Sequence, residues 1–152
     1  MVRLQLEWAE PLDPVPSGYD LGHMTFIGDR GSCTSKDKTP DQAMMLVISF
    51  PVLFYGLEQL ASRQLLGFTF CGIDSSFTIE FQPTSARRVV VKCRGTILDE
   101  VDIVGLCRSI LSDVQAFMAR PESRLPEGDP GSQDLSSSIA RLVQVLERID
   151  AK

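Results

Sequence analysis

His23 and Cys33 are the two residues of this chain best suited to chemistry at neutral pH. His23 is the only histidine, and histidine is the side chain whose ordinary pKa lies closest to neutrality. Cys33 could act as a nucleophile that the imidazole activates, with Asp20 or Asp29 orienting the ring. No catalytic signature surrounds either residue, so a strand histidine and a loop cysteine are the simpler interpretation. We therefore predict no catalytic residue, and a small hydrolase or transferase that uses Cys33 and His23 is the alternative.

The other polar clusters are typical of turns and helix caps. Asp74 and Ser75 lie between two predicted strands, where short polar side chains bond to nearby amides, although they could also contact a ligand at a sheet edge. Asp99, Glu100 and Asp102 precede a predicted helix, whose dipole attracts acidic residues without any metal. The sequence thus predicts neither a cofactor nor a metal site. The residues left as a candidate binding surface are His23, Asp29, Cys33, Asp74 and Ser75.

The composition is that of an ordinary globular protein, with 152 residues, 43% apolar residues and a formal net charge of −5. The negative charge argues against nucleic acid as a partner and permits a basic protein. The first residues contain no apolar run of the signal-peptide type, and the apolar stretch 43–57 is too short to span a bilayer. We therefore expect a cytoplasmic protein that does not contact membranes. Its four widely spaced cysteines are expected to be reduced.

Alternating apolar residues predict an α+β fold with one mostly antiparallel sheet of about five to six strands and helices packed on one face. Strands are expected at 2–8, 23–27, 67–71, 76–82 and 88–93. Across a turn at 83–86, the expected register places Ile79 opposite Val91 and Phe81 opposite Val89. Both apolar sets then face the same side of the sheet.

The segment 40–62 has two interpretations. Its apolar run 44–48 suits a buried strand, followed by a helix over 50–62 with Ser49 as N-cap and Pro51 in the first turn. Alternatively, a single helix spans 40–62 and bends at Pro51. Periodicity does not separate the two, because the run is apolar at every position.

Two further helices are well marked. Asp102 suits an N-cap between the staple residues Val101 and Leu106, and an apolar stripe continues to Met118. Residues 121–133 form a linker rich in proline and glycine, and an amphipathic helix follows over 134–152. We therefore expect an α+β core domain over 1–120. The C-terminal helix is expected to dock on this core or on a second subunit, which would give a homodimer.

The central part of the chain carries three features in order: the strand entry Gly-Ile-Asp-Ser-Ser-Phe at 72–77, the hairpin that follows and the helix over 102–118. Within 44–118 these features resemble the small α+β immunity proteins of bacterial polymorphic-toxin systems and related uncharacterised bacterial families. The resemblance implies a non-enzymatic protein that binds and blocks a partner, often through an acidic face.

These observations favour a binding protein over an enzyme. The more specific hypothesis is an immunity-like protein that binds and blocks its partner. The expected partner is a protein, of basic character if it contacts the acidic N-terminal region of Glu7, Glu10, Asp13 and Asp20. A small-molecule carrier is a further alternative. Its cavity would lie between sheet and helix and would be lined by Phe54, Phe68, Phe70 and Met118.

Overall fold

The computed structural model describes residues 1–9 and 17–151, and this part of the chain has an α+β fold with two antiparallel sheets. The first sheet contains β1 (Arg3–Trp8), β2 (Leu21–Ile27), β3 (Ser32–Thr34) and β4 (Met44–Met45). The second contains β5 (Phe68–Cys71), β6 (Thr78–Pro83), β7 (Arg88–Cys93) and β8 (Thr96–Asp102). The helices are α1 (Leu46–Ala61), α2 (Ile103–Met118) and α3 (Pro130–Asp150), with a 3₁₀ turn at Pro121–Ser123. The expected α+β class is confirmed, but the expected single sheet is wrong.

Two sheets form because the strands pair mainly with their neighbours along the chain. β2 pairs with β1 on one side and with β3 and β4 on the other, whereas β5 to β8 follow one another in order. The Phe26 ring of the first sheet packs on the rings of Phe77 and Phe81, with ring centroids 6.3 Å apart in both pairs. Phe81 belongs to β6 of the second sheet, and Phe77 directly precedes that strand. The apolar faces of the two sheets therefore share one core.

A disulfide between Cys33 of β3 and Cys93 of β7 also joins the two sheets. The expectation that all four cysteines are reduced is therefore wrong for this pair. Cys71 and Cys107 are free, as expected. Cys33 and Cys93 lie 60 residues apart in the sequence, so only the packing of one sheet on the other brings them together.

The segment 40–62 combines parts of both interpretations. The strand expected over 44–48 is reduced to Met44–Met45, and a helix containing Pro51 then begins at Leu46. Ser49 is not its N-cap. This serine lies inside the helix, donates to the Met45 carbonyl (2.7 Å) and accepts a hydrogen bond from the Ile73 amide (3.0 Å). The run is apolar on every side because α1 packs against both α3 and the strands.

The hairpin of β6 and β7 is shifted by two residues from the expected register. Phe81 lies opposite Val91, and Pro83 lies opposite Val89. A shift of two residues keeps each side chain on its face of the sheet. The predicted apolar face was therefore correct, although the turn follows Pro83 instead of including it.

β8 was not predicted, because a bulge breaks its alternation. Val91 pairs with Asp99 while Lys92 pairs with Ile97, which leaves Leu98 without a partner in β7. Leu98 and Asp99 are consequently both buried, although they are neighbours in sequence. The acidic residues Asp99, Glu100 and Asp102 indicate the start of a helix from sequence, whereas all three belong to β8.

The helix α2 agrees with the prediction. The Asp102 carboxylate caps it by accepting a hydrogen bond from the Gly105 amide (2.9 Å), and the stripe from Ile103 to Phe117 faces the core.

The C-terminal helix begins at Pro130, four residues before the predicted start at 134. Asp129 caps it, accepting a hydrogen bond from the Ser132 amide (3.2 Å). α3 packs along α1 in the same chain, with Leu142 and Leu146 buried. Among the described helices, none is long and apolar enough to cross a membrane.

Candidate functional site

The structure does not bring His23 and Cys33 together. His23 is half-buried on β2, where its Nδ1 atom lies 3.0 Å from the Ser35 hydroxyl. Cys33 pairs with Phe26, three positions beyond His23 on β2. Because side chains alternate along a strand, His23 and Cys33 lie on opposite faces of the first sheet. The Cys33 sulfur is moreover bonded to Cys93.

Asp29 belongs to a cluster that ties the amino terminus to β8. The Met1 ammonium group lies 3.0 Å from the Asp99 carboxylate and 3.3 Å from that of Asp29. The Asp29 and Glu100 amides also donate to Asp99, at 3.1 Å and 2.8 Å. Burial alone would raise the pKa of Asp99, but the ammonium group and the two amides outweigh it and lower that pKa. These contacts join distant segments of the chain. The Asp99 carboxylate therefore already has partners within the protein.

Asp74 and Ser75 form the turn between β5 and β6. The Ser75 hydroxyl donates to the Gln42 carbonyl (2.7 Å) and accepts a hydrogen bond from the Phe77 amide (3.0 Å). Asp74 is exposed and has a positive φ of 59°, as turn residues often do. The five candidate residues from the sequence therefore lie in separate places and form no common site.

A cleft of about 570 Å³ lies where the carboxyl ends of α1 and α3 meet the amino end of α2. Sequence reasoning missed it, because its lining comes from four distant segments. Three arginines line it, Arg63, Arg87 and Arg148. The rest of the lining is mostly apolar and consists of Ala61, Ala86, Ile103, Val104, Val145 and Ile149, with Ser62. We call this site the arginine cleft.

Within residues 1–9 and 17–151, only one of the three arginines has an acidic partner. Arg87 Nε donates to the Asp102 carboxylate (3.2 Å). Burial opposes ionisation of Asp102, but hydrogen bonds from Gly105 and Arg87 outweigh this effect and lower its pKa. Arg63 and Arg148 form no ion pair with any residue in 1–9 or 17–151. Two guanidinium groups of the cleft therefore have no acidic partner in the described part of the chain and can bind an anion.

Helix polarity explains part of this arrangement. Basic side chains are favoured near the carboxyl ends of helices, which accounts for Arg63 after α1 and Arg148 in the last turn of α3. It does not account for Arg87, which lies before β7, or for the apolar surface between the three arginines. Apolar walls with a few convergent polar groups are the usual composition of a binding site.

A second cleft differs from the arginine cleft because its basic residues already have partners within the protein. It has a volume of about 520 Å³ and runs between β1 and α2. Two of its basic residues are paired, Arg3 with Asp113 (2.5 Å) and Lys36 with Glu7 (3.0 Å). Its third, Arg120, lies over the Phe117 ring, 5.3 Å from the centroid. The three basic side chains of this second cleft thus already contact acidic or aromatic groups of the same chain.

Comparison with known protein families, curated proteins and solved structures finds no match for this chain. The geometry of the arginine cleft is therefore the main basis for a functional proposal.

Proposed function

We propose that this chain is a binding protein whose arginine cleft takes a segment of a partner protein that is both acidic and aliphatic. The observation that carries the proposal is the convergence of Arg63, Arg87 and Arg148 on one apolar surface, in a chain with a net charge of −5. Guanidinium groups bind carboxylates through two parallel hydrogen bonds. Aliphatic neighbours of those carboxylates would cover the apolar part of the cleft.

An acidic partner fits the surface better than the basic partner expected from the net charge. Among the N-terminal acids, Glu7 is paired with Lys36 (3.0 Å), and Asp20 accepts a hydrogen bond from the Ser17 amide (2.6 Å). Glu10 and Asp13 lie outside the described residues. The acidic groups that can be described in this region already bind their own chain, whereas Arg63 and Arg148 pair with no acidic group among the described residues.

A protein segment fits the cleft better than an enclosed small molecule. Sites for small molecules cover most of the ligand surface, but all three arginines are exposed. The carrier cavity expected between sheet and helix is not favoured either. Phe54 and Phe70 are buried in the core, and the Phe68 ring fills the space beside Gly56.

The sharper form of the proposal is that binding blocks the partner, as in the immunity proteins that the central segment resembles. Its test uses the neighbouring genes of the host. If one encodes a toxic enzyme, adding this purified protein in equal amount should suppress that activity. Unchanged enzyme activity would contradict the immunity-like function, but it would not contradict the proposal that the arginine cleft binds a protein segment.

The disulfide bears on where the protein works. Disulfides persist mainly in oxidising compartments and are rare in the cytosol. The Cys33–Cys93 bond therefore favours an oxidising compartment over the cytoplasm expected from the sequence. Alkylation of free thiols in host cells lysed directly into denaturant separates the two compartments, because a cytoplasmic protein would yield four modified cysteines and a disulfide-bonded one only two.

Binding can be measured with a fluorescein-labelled peptide that alternates glutamate and leucine. We expect binding that weakens with added salt, because screening reduces charge interactions. The double variant Arg63→Ala/Arg148→Ala should weaken it by about tenfold or more, equivalent to about 1.4 kcal/mol. Arg30→Ala is the matched control, since this arginine is also exposed and lies in the turn between β2 and β3. Equal binding of a lysine–leucine peptide would contradict the proposal.

A further inference from the structure

β5 forms an edge of the second sheet, and its outer main-chain groups have no partner among the described residues. Phe70 pairs with Ile79 in β6, and the ladder continues with the Gly72 amide donating to the Phe77 carbonyl (3.1 Å). This alternation directs the main-chain groups of Thr69 and Cys71 away from β6. Both residues are exposed, so this edge is open to solvent.

Two other sheet edges are occupied by the chain itself. Along β1, the Ser109 hydroxyl donates to the Val2 carbonyl (2.6 Å), and the Leu4 amide donates to the Asp113 carboxylate (2.8 Å). At β8, the Arg30 amide donates to the Leu98 carbonyl (2.9 Å). Part of each of these two edges is thus bonded by the chain itself, whereas no described residue bonds to the outer edge of β5.

β5 also lacks the features that usually protect an edge. Such strands carry charged residues, prolines or bulges that oppose pairing with another strand. Residues 64–72 contain no charged residue and no proline. Leu66, two residues before the strand, is 94% exposed, and Tyr55, next to the glycine that packs on Phe68, is 56% exposed. An uncharged strand is therefore bordered by exposed apolar side chains.

We propose that a second copy of this chain pairs along the β5 edge, in antiparallel orientation about a two-fold axis. Thr69 then lies opposite Cys71 of the other copy, and the reverse pair follows by symmetry, so the edge complements itself. Each copy carries a net charge of −5, and the uncharged segment 64–72 is where two copies approach without like charges in contact. None of the residues that line the arginine cleft takes part.

The test measures the association of the full chain by sedimentation velocity across a wide concentration range. We expect a concentration-dependent dimer, and Thr69→Lys should raise its dissociation constant by about tenfold or more, because it places a charge on the edge. Thr96→Lys is the matched control, since Thr96 is also an exposed strand threonine and its dimer should match that of the wild type. A monomer at every concentration, or an unchanged dimer in Thr69→Lys, would overturn the proposal.

Cys71 gives an independent readout on the unaltered fold. In the proposed register the two Cys71 side chains lie diagonally across the interface, within reach of a short bismaleimide. We expect a cross-linked dimer from the wild-type chain and none from Cys71→Ser. Failure to cross-link Cys71 in a solution that contains dimers would place the interface elsewhere, for instance at α3, and would overturn the β5 proposal.

Discussion

The sulfur atoms of Cys33 and Cys93 are bonded, so that β3 of the first sheet is tied covalently to β7 of the second. The bond closes a segment of 60 residues in sequence that includes β4, α1, β5 and β6. A covalent link of this length restricts the unfolded chain more than the folded one. The two sheets should therefore lose stability together when the bond is absent.

Replacing Cys93 with Ser should lower the free energy of unfolding by about 2–4 kcal/mol, because the unfolded chain regains its freedom. Urea melts of the variant and of the wild type, each with and without reductant, measure the effect. Reductant should shift only the wild type. Cys71→Ser is the control and should melt like the wild type, and a wild-type melt insensitive to reductant would contradict the bond.

The two free cysteines should differ in reactivity. Cys71 is exposed, whereas burial and, to a lesser degree, the charge of Asp102 raise the pKa of Cys107 to about 12. Because the thiolate is the reactive form, iodoacetamide should modify Cys71 in the native protein and Cys107 only after unfolding. Peptide mass analysis at successive times distinguishes the sites. Equal rates at both would mean that α2 does not bury Cys107.

Asp99 should make stability depend on pH in the acidic range. Its folded pKa is lowered from the ordinary 3.8, so its contribution is present above 3.8 and is lost as the pH falls through the folded pKa. Asp99→Asn should cost about 1–3 kcal/mol at neutral pH, since the groups around it lose a charged acceptor. Melts at several pH values should show this difference shrinking in acid. Asp74→Asn is the exposed control, and an Asp99→Asn deficit that persists in strong acid would contradict the account.

Two helical glycines should respond to alanine in opposite ways. A methyl group on Gly56 would overlap the Phe68 ring, whereas one on Gly105 would meet only ordinary contacts with Asp102, the nearest at 3.7 Å. We expect Gly56→Ala to destabilise by about 1–3 kcal/mol through overpacking. Gly105→Ala should stabilise by up to about 1 kcal/mol, because alanine favours helix. Thermal melts compare the two, and a neutral Gly56→Ala would mean that α1 does not pack closely on β5.

Local signals predicted the parts of the fold that depend on neighbours in sequence. The helix α2 was predictable because Asp102 marks its start and the stripe from Ile103 to Phe117 continues without interruption. β8 was not, because the bulge at Leu98 removes the alternation by which strands are recognised. The hairpin register was wrong by two residues, since Ile79 and Phe81 present the same face in either register.

The candidate site lay beyond sequence reasoning for a different reason. Arg63, Arg87 and Arg148 belong to separate segments, and each one alone resembles an ordinary surface arginine. Their convergence depends on how α1, α2 and α3 end against one another, which no local pattern encodes. The disulfide was missed similarly, because Cys33 and Cys93 approach only when the two sheets pack.

The most direct test of the account is nuclear magnetic resonance mapping of the bound glutamate–leucine peptide on the isotope-labelled full chain. We predict that the amide signals that shift most during the titration belong to 61–63, 86–87, 103–104 and 145–149, the segments that line the arginine cleft. In Arg63→Ala/Arg148→Ala these shifts should require about tenfold more peptide or more. Shifts centred on the cleft between β1 and α2, or an unchanged titration of the double variant, would contradict the proposal that the arginine cleft is the binding site.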